Sequence, residues 1–389
     1  MSRKKLWLLV AGILALGGAV ALTLLAAAAY FFLQRGGFDL ASLGDYEAAQ
    51  RAAAEARERD PRWRPACTQV ALISPAAEGV AGEKRNFVVD PAGRLLVTVV
   101  APEGVARGVP KGTAGALLRF SPAGKLEQTV PLDLRPNAIA LGPDGTLFVG
   151  GSGRLLKLDA DGRVLATADS PVAQAAIAIT PELEEMARDS ARHTQRSADE
   201  ELSNLRQSLE QRRAVVGSLA ATDRDLFVAL PAPQAFSWRV YGYGLGLGAP
   251  ELVAEKLRGC CGEMNLGADA ENLYVAHNGR HRVERRSREG GEVAQFGRSG
   301  KVDPADFGGC CEPKNLRVLA GGDVLVGESG PPTCIKRFSA KGEFLEVLAV
   351  VDKAQGDCVR MTVDVSPDGG RFYLLDTKER AIRVFARKG

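Results

Sequence analysis

The sequence predicts an all-β fold: a six-bladed β-propeller, with an N-terminal transmembrane helix and a helical insertion in blade three. Three observations predict it. A unit of about 40–50 residues recurs, and such a period is the mark of a repeat architecture. Each copy but the last holds four short apolar runs parted by Pro-x-Gly, Asp-Gly or Gly-rich turns that suit hairpins. The last copy lacks a fourth run, and TQVALIS, residues 68–74, stands ready just before the first copy to supply it. Such a closure removes the last open sheet edge and locks the ring.

The copies read in order as follows. NFVVDPAGRLLVTVV from Asn86, completed by ALLRFSPAGKLEQTV, forms the first, and NAIALGPDGTLFVGGSGRLLKLDADGRVLATA, residues 137–168, the second. A less regular third blade combines GSLAATDRDLFVAL, FSWRVYGYG and PELVAEKL. Residues 265–297, 315–349 and 362–385 give the fourth, fifth and sixth. Residues 180–214, TPELEEMARDSARHTQRSADEELSNLRQSLEQRRA, interrupt blade three. Thr180 and Pro181 match an N-cap followed by proline in the first turn. Leu202, Leu205 and Leu209 then repeat at helical spacing among many charges. A solvated helix or helix pair, offering a docking surface, is expected there.

The N-terminus sets the compartment. MSRKK precedes an uncharged run over residues 6–33, longer than the roughly 20 apolar residues that cross a bilayer. Arg3, Lys4 and Lys5 hold the N-terminus in the cytoplasm and export the rest. An uncleaved anchor is expected, with a cleaved signal peptide as the alternative at LAAAAYFF. Residues 1–35 are then a cytoplasmic tip and anchor, 36–65 an Ala-rich helical stalk, and 66–389 the propeller. A formal net charge of +3 with 25% charged residues gives no footing for nucleic acid. The expected partners are the membrane, through the N-terminal helix, and a protein of the cell envelope.

FGRSGKVDPADFGGCCEPKNLRVLAGGDVLVGESGPPTCIKRFSAKGEFLEVLA resembles an NHL repeat, with its Phe-Gly pair, proline, inner strand, turn and basic-flanked third strand. The resemblance runs from Asn86 to the C-terminus and is carried by the last three blades. It departs where cysteine pairs replace the residues before the proline. It implies a binding scaffold, with some lyases among the relatives.

Aligning the blades on their innermost strands brings the cysteines into register. Cys261, Cys311 and Cys358 each stand four residues before Asn265, Asn315 and Thr362, and Cys260 and Cys310 precede the first two. These five lie in loops leading into innermost strands. Cys334, with His277 and His281 of HNGRH, lies in loops between second and third strands, which open on the same face. Four readings are open: disulfides between neighbouring loops, a thiol-rich site for Zn, Cu or an Fe–S cluster with the histidines as ligands, thiol–disulfide exchange, or buried free thiols.

Asn86, Asn137, Asn265 and Asn315 all begin innermost strands, so their amides ring the channel mouth. They are expected to bond loop backbone or to hold Ca²⁺ in the channel. RPNAIALGPDGTLFVGG is similar to the metal-binding stretch of gluconolactonase-like propellers, which implies an Asn near a channel metal that helps hold a lactone. Matching carboxylates are not identifiable. RHRVERRSR, residues 280–288, reads as an exposed basic strand, and YGYGLGLG has no context for a phosphate loop. The expected function is a binding or scaffold module rather than an enzyme. The alternatives are a metal-dependent lactonase-like hydrolase or a redox protein.

Overall fold

A computed structural model of the 389-residue chain describes residues 40–80, 82–100, 113–233, 235–259, 264–351 and 359–388. These fall into two units, one ending at Asp60 and one beginning at Pro61. The first contains helix α1 (Leu40–Arg59), built from strong helix formers, with Glu55 and Arg59 paired across one turn at 3.4 Å. The apolar run expected to cross a membrane lies outside the described residues. Among the described residues, no helix is long and apolar enough to do so.

The second unit is a ring of six four-stranded antiparallel sheets. Blade I comprises β2 (Glu83–Val89), β3 (Leu95–Val100), β4 (Gly115–Phe120) and β5 (Leu126–Leu132). Blade II comprises β6 (Pro136–Leu141), β7 (Leu147–Gly151), β8 (Arg154–Leu158) and β9 (Val164–Asp169). Blade III holds β10 (Ser218–Ala221), β11 (Asp225–Pro231), β12 (Trp238–Gly244) and β13 (Glu251–Leu257). In blade IV these are β14 (Asn265–Ala268), β15 (Asn272–His277), β16 (Arg282–Ser287) and β17 (Glu292–Phe296). Blade V runs β18 (Asn315–Val318), β19 (Val324–Glu328), β20 (Thr333–Phe338) and β21 (Phe344–Val351). Blade VI has β22 (Val363–Val365), β23 (Arg371–Asp376) and β24 (Ala381–Arg387), and β1 (Cys67–Ile73) completes it along β24.

Burial explains the sequence pattern. Every residue of β3, LLVTVV, is buried, because a second strand is covered by the neighbouring blade on each side. The outermost β9, VLATAD, is exposed or half-exposed throughout. The apolar core is therefore a set of wedges between adjacent blades. Phe87 and Leu95 of blade I pack with Tyr373 and Ile382 of blade VI, and Tyr274 of blade IV packs with Val326 and Phe338 of blade V. Turns follow side-chain chemistry: in GPDG, Asp144 Oδ1 accepts from the Thr146 N–H at 3.1 Å and Gly145 takes φ 78°.

The helical insertion is α2 (Pro181–His193) and α3 (Ala198–Arg212). It was expected to interrupt blade three. It instead occupies the connection from β9 of blade II to β10, and leaves blade III's own four strands continuous. Thr180 caps α2, its Oγ1 accepting from the Leu183 N–H at 3.3 Å, with proline at the helix start. Ser197 and Glu200 form a reciprocal capping box at α3. Residues 61–65, assigned to the stalk from sequence, belong to the propeller unit. There Trp63 is buried and donates from Nε1 to the Val302 carbonyl at 2.7 Å.

Candidate functional site

Because strands alternate in direction, the loops leading into innermost strands and those between second and third strands share one face. On that face blade V gathers Cys310, Cys311, Glu312, Lys314 and Asn315 from one loop and Glu328, Ser329 and Cys334 from the other. Glu312 ties the two loops together. Its Oε1 accepts from the Ser329 N–H, the Ser329 hydroxyl and the Gly330 N–H, each at 2.9 Å, while Oε2 is buried without a partner. Burial, then the nearby charge of Glu328, pushes the Glu312 carboxyl up to about 8, against the pull of Lys314. Cys311 and Cys334 are buried beside this clamp and Cys310 is exposed.

Beneath the loops, blades IV, V and VI repeat one device. The last residue of the second strand pairs diagonally with a residue of the third strand. In blade IV it is His277 Nδ1 with Glu284 Oε1 at 2.6 Å, and in blade VI Asp376 Oδ2 with Arg383 Nε at 2.8 Å. In blade V it is Glu328 with Lys336. The register makes these positions equivalent: Glu284 opposes Val275, Lys336 opposes Val326 and Arg383 opposes Leu374. At the same register blade I has Val99 and Leu118, and blade III has Leu230 and Tyr241.

The three pairs differ in polarity. Burial alone would raise the Glu284 carboxyl, but hydrogen bonds from His277, Arg286 and Arg282 outweigh it and hold the group well below the usual carboxylate range. Arg282 Nε and Arg286 Nη2 sit 2.8 and 2.6 Å from its two oxygens. Burial raises the Glu328 carboxyl despite Lys336. The Lys336 ammonium also donates to the Asp306 carbonyl at 2.7 Å and lies 4.8 Å from the centroid of the Trp63 ring.

The four amides predicted at the channel mouth link blades. Asn265 Oδ1 accepts from Leu316 N–H at 2.8 Å and Asn315 Oδ1 from Val363 N–H at 2.9 Å. Asn86 Oδ1 takes the Thr362 hydroxyl at 3.1 Å, and Asn137 Nδ2 donates to the Val216 carbonyl at 3.2 Å. Asp364 continues the ring, Oδ2 accepting from Val89 N–H at 2.8 Å. A Ca²⁺ ion needs several oxygens turned to one point. The oxygens of Asn86, Asn265 and Asn315 are instead turned to neighbouring strands, so this set does not fit a channel cation.

His277 is closed on both sides: Nε2 accepts from the Arg258 N–H at 2.8 Å, which leaves the ring proton on Nδ1, facing Glu284. His281 is half-buried, and burial pulls its imidazole below the ordinary value. Cys260, Cys261 and Cys358 fall outside the described residues, so the predicted six-cysteine cluster is described only at Cys310, Cys311 and Cys334. Among the described residues no disulfide joins two cysteines, and no group of three or more His, Cys, Asp or Glu side chains is placed to hold a metal ion. RHRVERRSR is not a plain exposed strand, since Arg282 and Arg286 close over the buried Glu284. Glu284, Glu312, Glu328 and Lys336 were not singled out from sequence. For Glu284, Glu328 and Lys336 the signal lies in the alignment that gathered the cysteines, which stacks His277, Glu328 and Asp376 in one column and Glu284, Lys336 and Arg383 in another.

No protein-family model matches the chain, and no curated protein matches it. Among solved structures it is similar to a gluconolactonase from Xanthomonas campestris, at 12% identity and TM-score 0.51 over 84% of this chain and 99% of that one. Regucalcin from Agrobacterium tumefaciens, described as a calcium-binding protein, matches at 11% identity and TM-score 0.47 over 82% and 93% of the two chains. Streptogramin B lyase matches at 11% identity and TM-score 0.45 over 83% and 97%. At 12% identity the first likeness shows the six-bladed fold alone.

Proposed function

We propose that the chain is a membrane-anchored, NHL-like binding module, held outside the cytoplasm by residues 6–33, whose cysteine-bearing face over blades IV–VI receives an envelope protein partner. One observation carries the reading: the polar groups of the innermost strands, Asn265, Asn315 and Asp364, serve as blade-to-blade links. Chemistry in the channel would need those groups turned inward. Above them in blade V, Glu312 ties the loop into the innermost strand to the loop between the second and third strands.

The rival is a metal-dependent lactonase. It is tested by measuring turnover of a lactone panel with and without Ca²⁺, alongside the melting temperature. The binding reading expects no turnover and a Ca²⁺-independent melting temperature. Lactone hydrolysis abolished by a chelator would overturn it.

A further inference from the structure

We infer that the root of the helical hairpin is a binding site for a carboxylate group, held by Arg212 and Trp238. Arg212 ends α3 and lies over two aromatic rings, its Cζ 5.0 Å from the Phe236 centroid and 5.9 Å from that of Trp238. Its Nη1 is buried and meets no acceptor. Trp238 is 1% exposed, and its Nε1 is likewise buried without an acceptor. The next residue, Arg213, reaches the Ala175 carbonyl through Nη1 at 2.5 Å but leaves Nε unanswered. Arg212 Nη1, Arg213 Nε and Trp238 Nε1 are thus three buried donors, the first and last on side chains that stack on each other.

Buried donors in folded proteins nearly always have partners, and buried cations are paired. Several arginines of this chain follow that rule, while the Nε of Arg119 and of Arg285 are, like that of Arg213, buried without an acceptor. Arg154 has Asp133, Arg282 and Arg286 have Glu284, Arg337 has Asp323, and Arg383 has Asp376. Among the described residues, neither Arg212 nor Arg213 has a carboxylate, and burial works against the charge of Arg212. An anion supplied from outside answers the neighbouring donors of Arg212 and Trp238.

The geometry selects the kind of anion. A guanidinium presents a planar fork of N–H donors, which matches a planar carboxylate. The aromatic pair offers an apolar wall for whatever carries that group, and Phe236 is 40% exposed at the rim. The carrier is either a small organic acid or an acidic side chain of a peptide. This site requires neither the membrane anchor nor the partner face over blades IV–VI.

The test is the melting temperature of the full chain titrated with succinate, with hexaglutamate, with phosphate, and with sodium chloride at matched ionic strength. We expect saturable stabilisation by succinate or by hexaglutamate beyond that of chloride. Succinate alone would assign a small acid, and hexaglutamate alone an acidic peptide segment. Arg212→Gln should weaken that response at least tenfold while leaving ligand-free stability equal to wild type or higher, since it removes a half-buried cation that has no carboxylate. Should that variant fail to fold, Trp238→Phe, which deletes the indole N–H and keeps a ring, should weaken the response several-fold. No carboxylate-specific stabilisation, an undiminished response in the variant that folds, or a response to phosphate alone would overturn the assignment.

Discussion

Blades I–III and blades IV–VI share four strands each and the same wedge-like core, yet they are finished differently at the rim. In blade I the diagonal position beneath the loops is filled by Val99 and Leu118. In blades IV–VI it holds His277–Glu284, Glu328–Lys336 and Asp376–Arg383. The polarity even reverses between neighbours, with the acid on the third strand in blade IV and on the second in blades V and VI. Conserving a fold does not require these charges, as blade I demonstrates within the same chain. A buried pair must bring further hydrogen bonds to offset desolvation. Here they reach into the loops, from Glu328 to the Gly308 N–H at 2.8 Å and from Lys336 to the Asp306 carbonyl at 2.7 Å. The charged rim therefore ties down the same sector whose loops carry the cysteines.

The sharpest way to break this comparison is to convert blade V toward blade I. Lys336→Leu strands a buried carboxylate and should cost about 3–5 kcal/mol, read by chemical denaturation. The double variant Glu328→Val/Lys336→Leu should recover at least half of that loss. Failure to recover would mean that the pair acts through something other than mutual compensation.

The next effect separates the two acids by pH. The ordinary carboxyl value is 4.5, and folded Glu312 keeps its proton to about 8. Between those values the folded state binds more protons, so this group makes stability fall as pH rises, and the fall ends above about 8. Glu312→Gln should flatten that slope by a few kcal/mol at most, measured as melting temperature from pH 5 to 9. Glu284 runs the other way. Its folded value is lowered, so its contribution is complete above 4.5 and is lost as pH falls through the acid range.

Asn315→Ala leaves the buried Val363 N–H without its acceptor, and a loss of about 1–3 kcal/mol is expected. The smallest effect belongs to the hairpin: Thr180→Ala removes the α2 cap and should cost about 1 kcal/mol. Both are read as shifts in denaturation midpoint.

Much of the frame was legible from residues alone. Turn chemistry and strand spacing gave six blades, and TQVALIS was rightly assigned as the closing strand of the sixth. Thr180 and Pro181 marked their helix start because capping is local chemistry. The rim was less legible. RHRVERRSR looks solvent-facing by composition, and only the partner strand and the next blade bury Glu284 at its centre. Glu312 was not singled out, because its partners, Ser329 and Gly330, come from a different loop 17–18 residues on. Trp63 read as part of a stalk until its indole met Val302, a contact 239 residues away in sequence. Long-range packing decided each of these cases, and no local pattern announces it.

The central claim, that the cysteine-bearing face of blades IV–VI is the binding face, is tested most directly by paired photo-crosslinking in membranes. A photoreactive residue is placed at Cys310 on that face, or at exposed Lys341 in the β20–β21 turn of the opposite face. The account predicts a discrete protein adduct from position 310 and none from position 341. Adducts of equal yield from both positions, or an adduct from 341 alone, would contradict it.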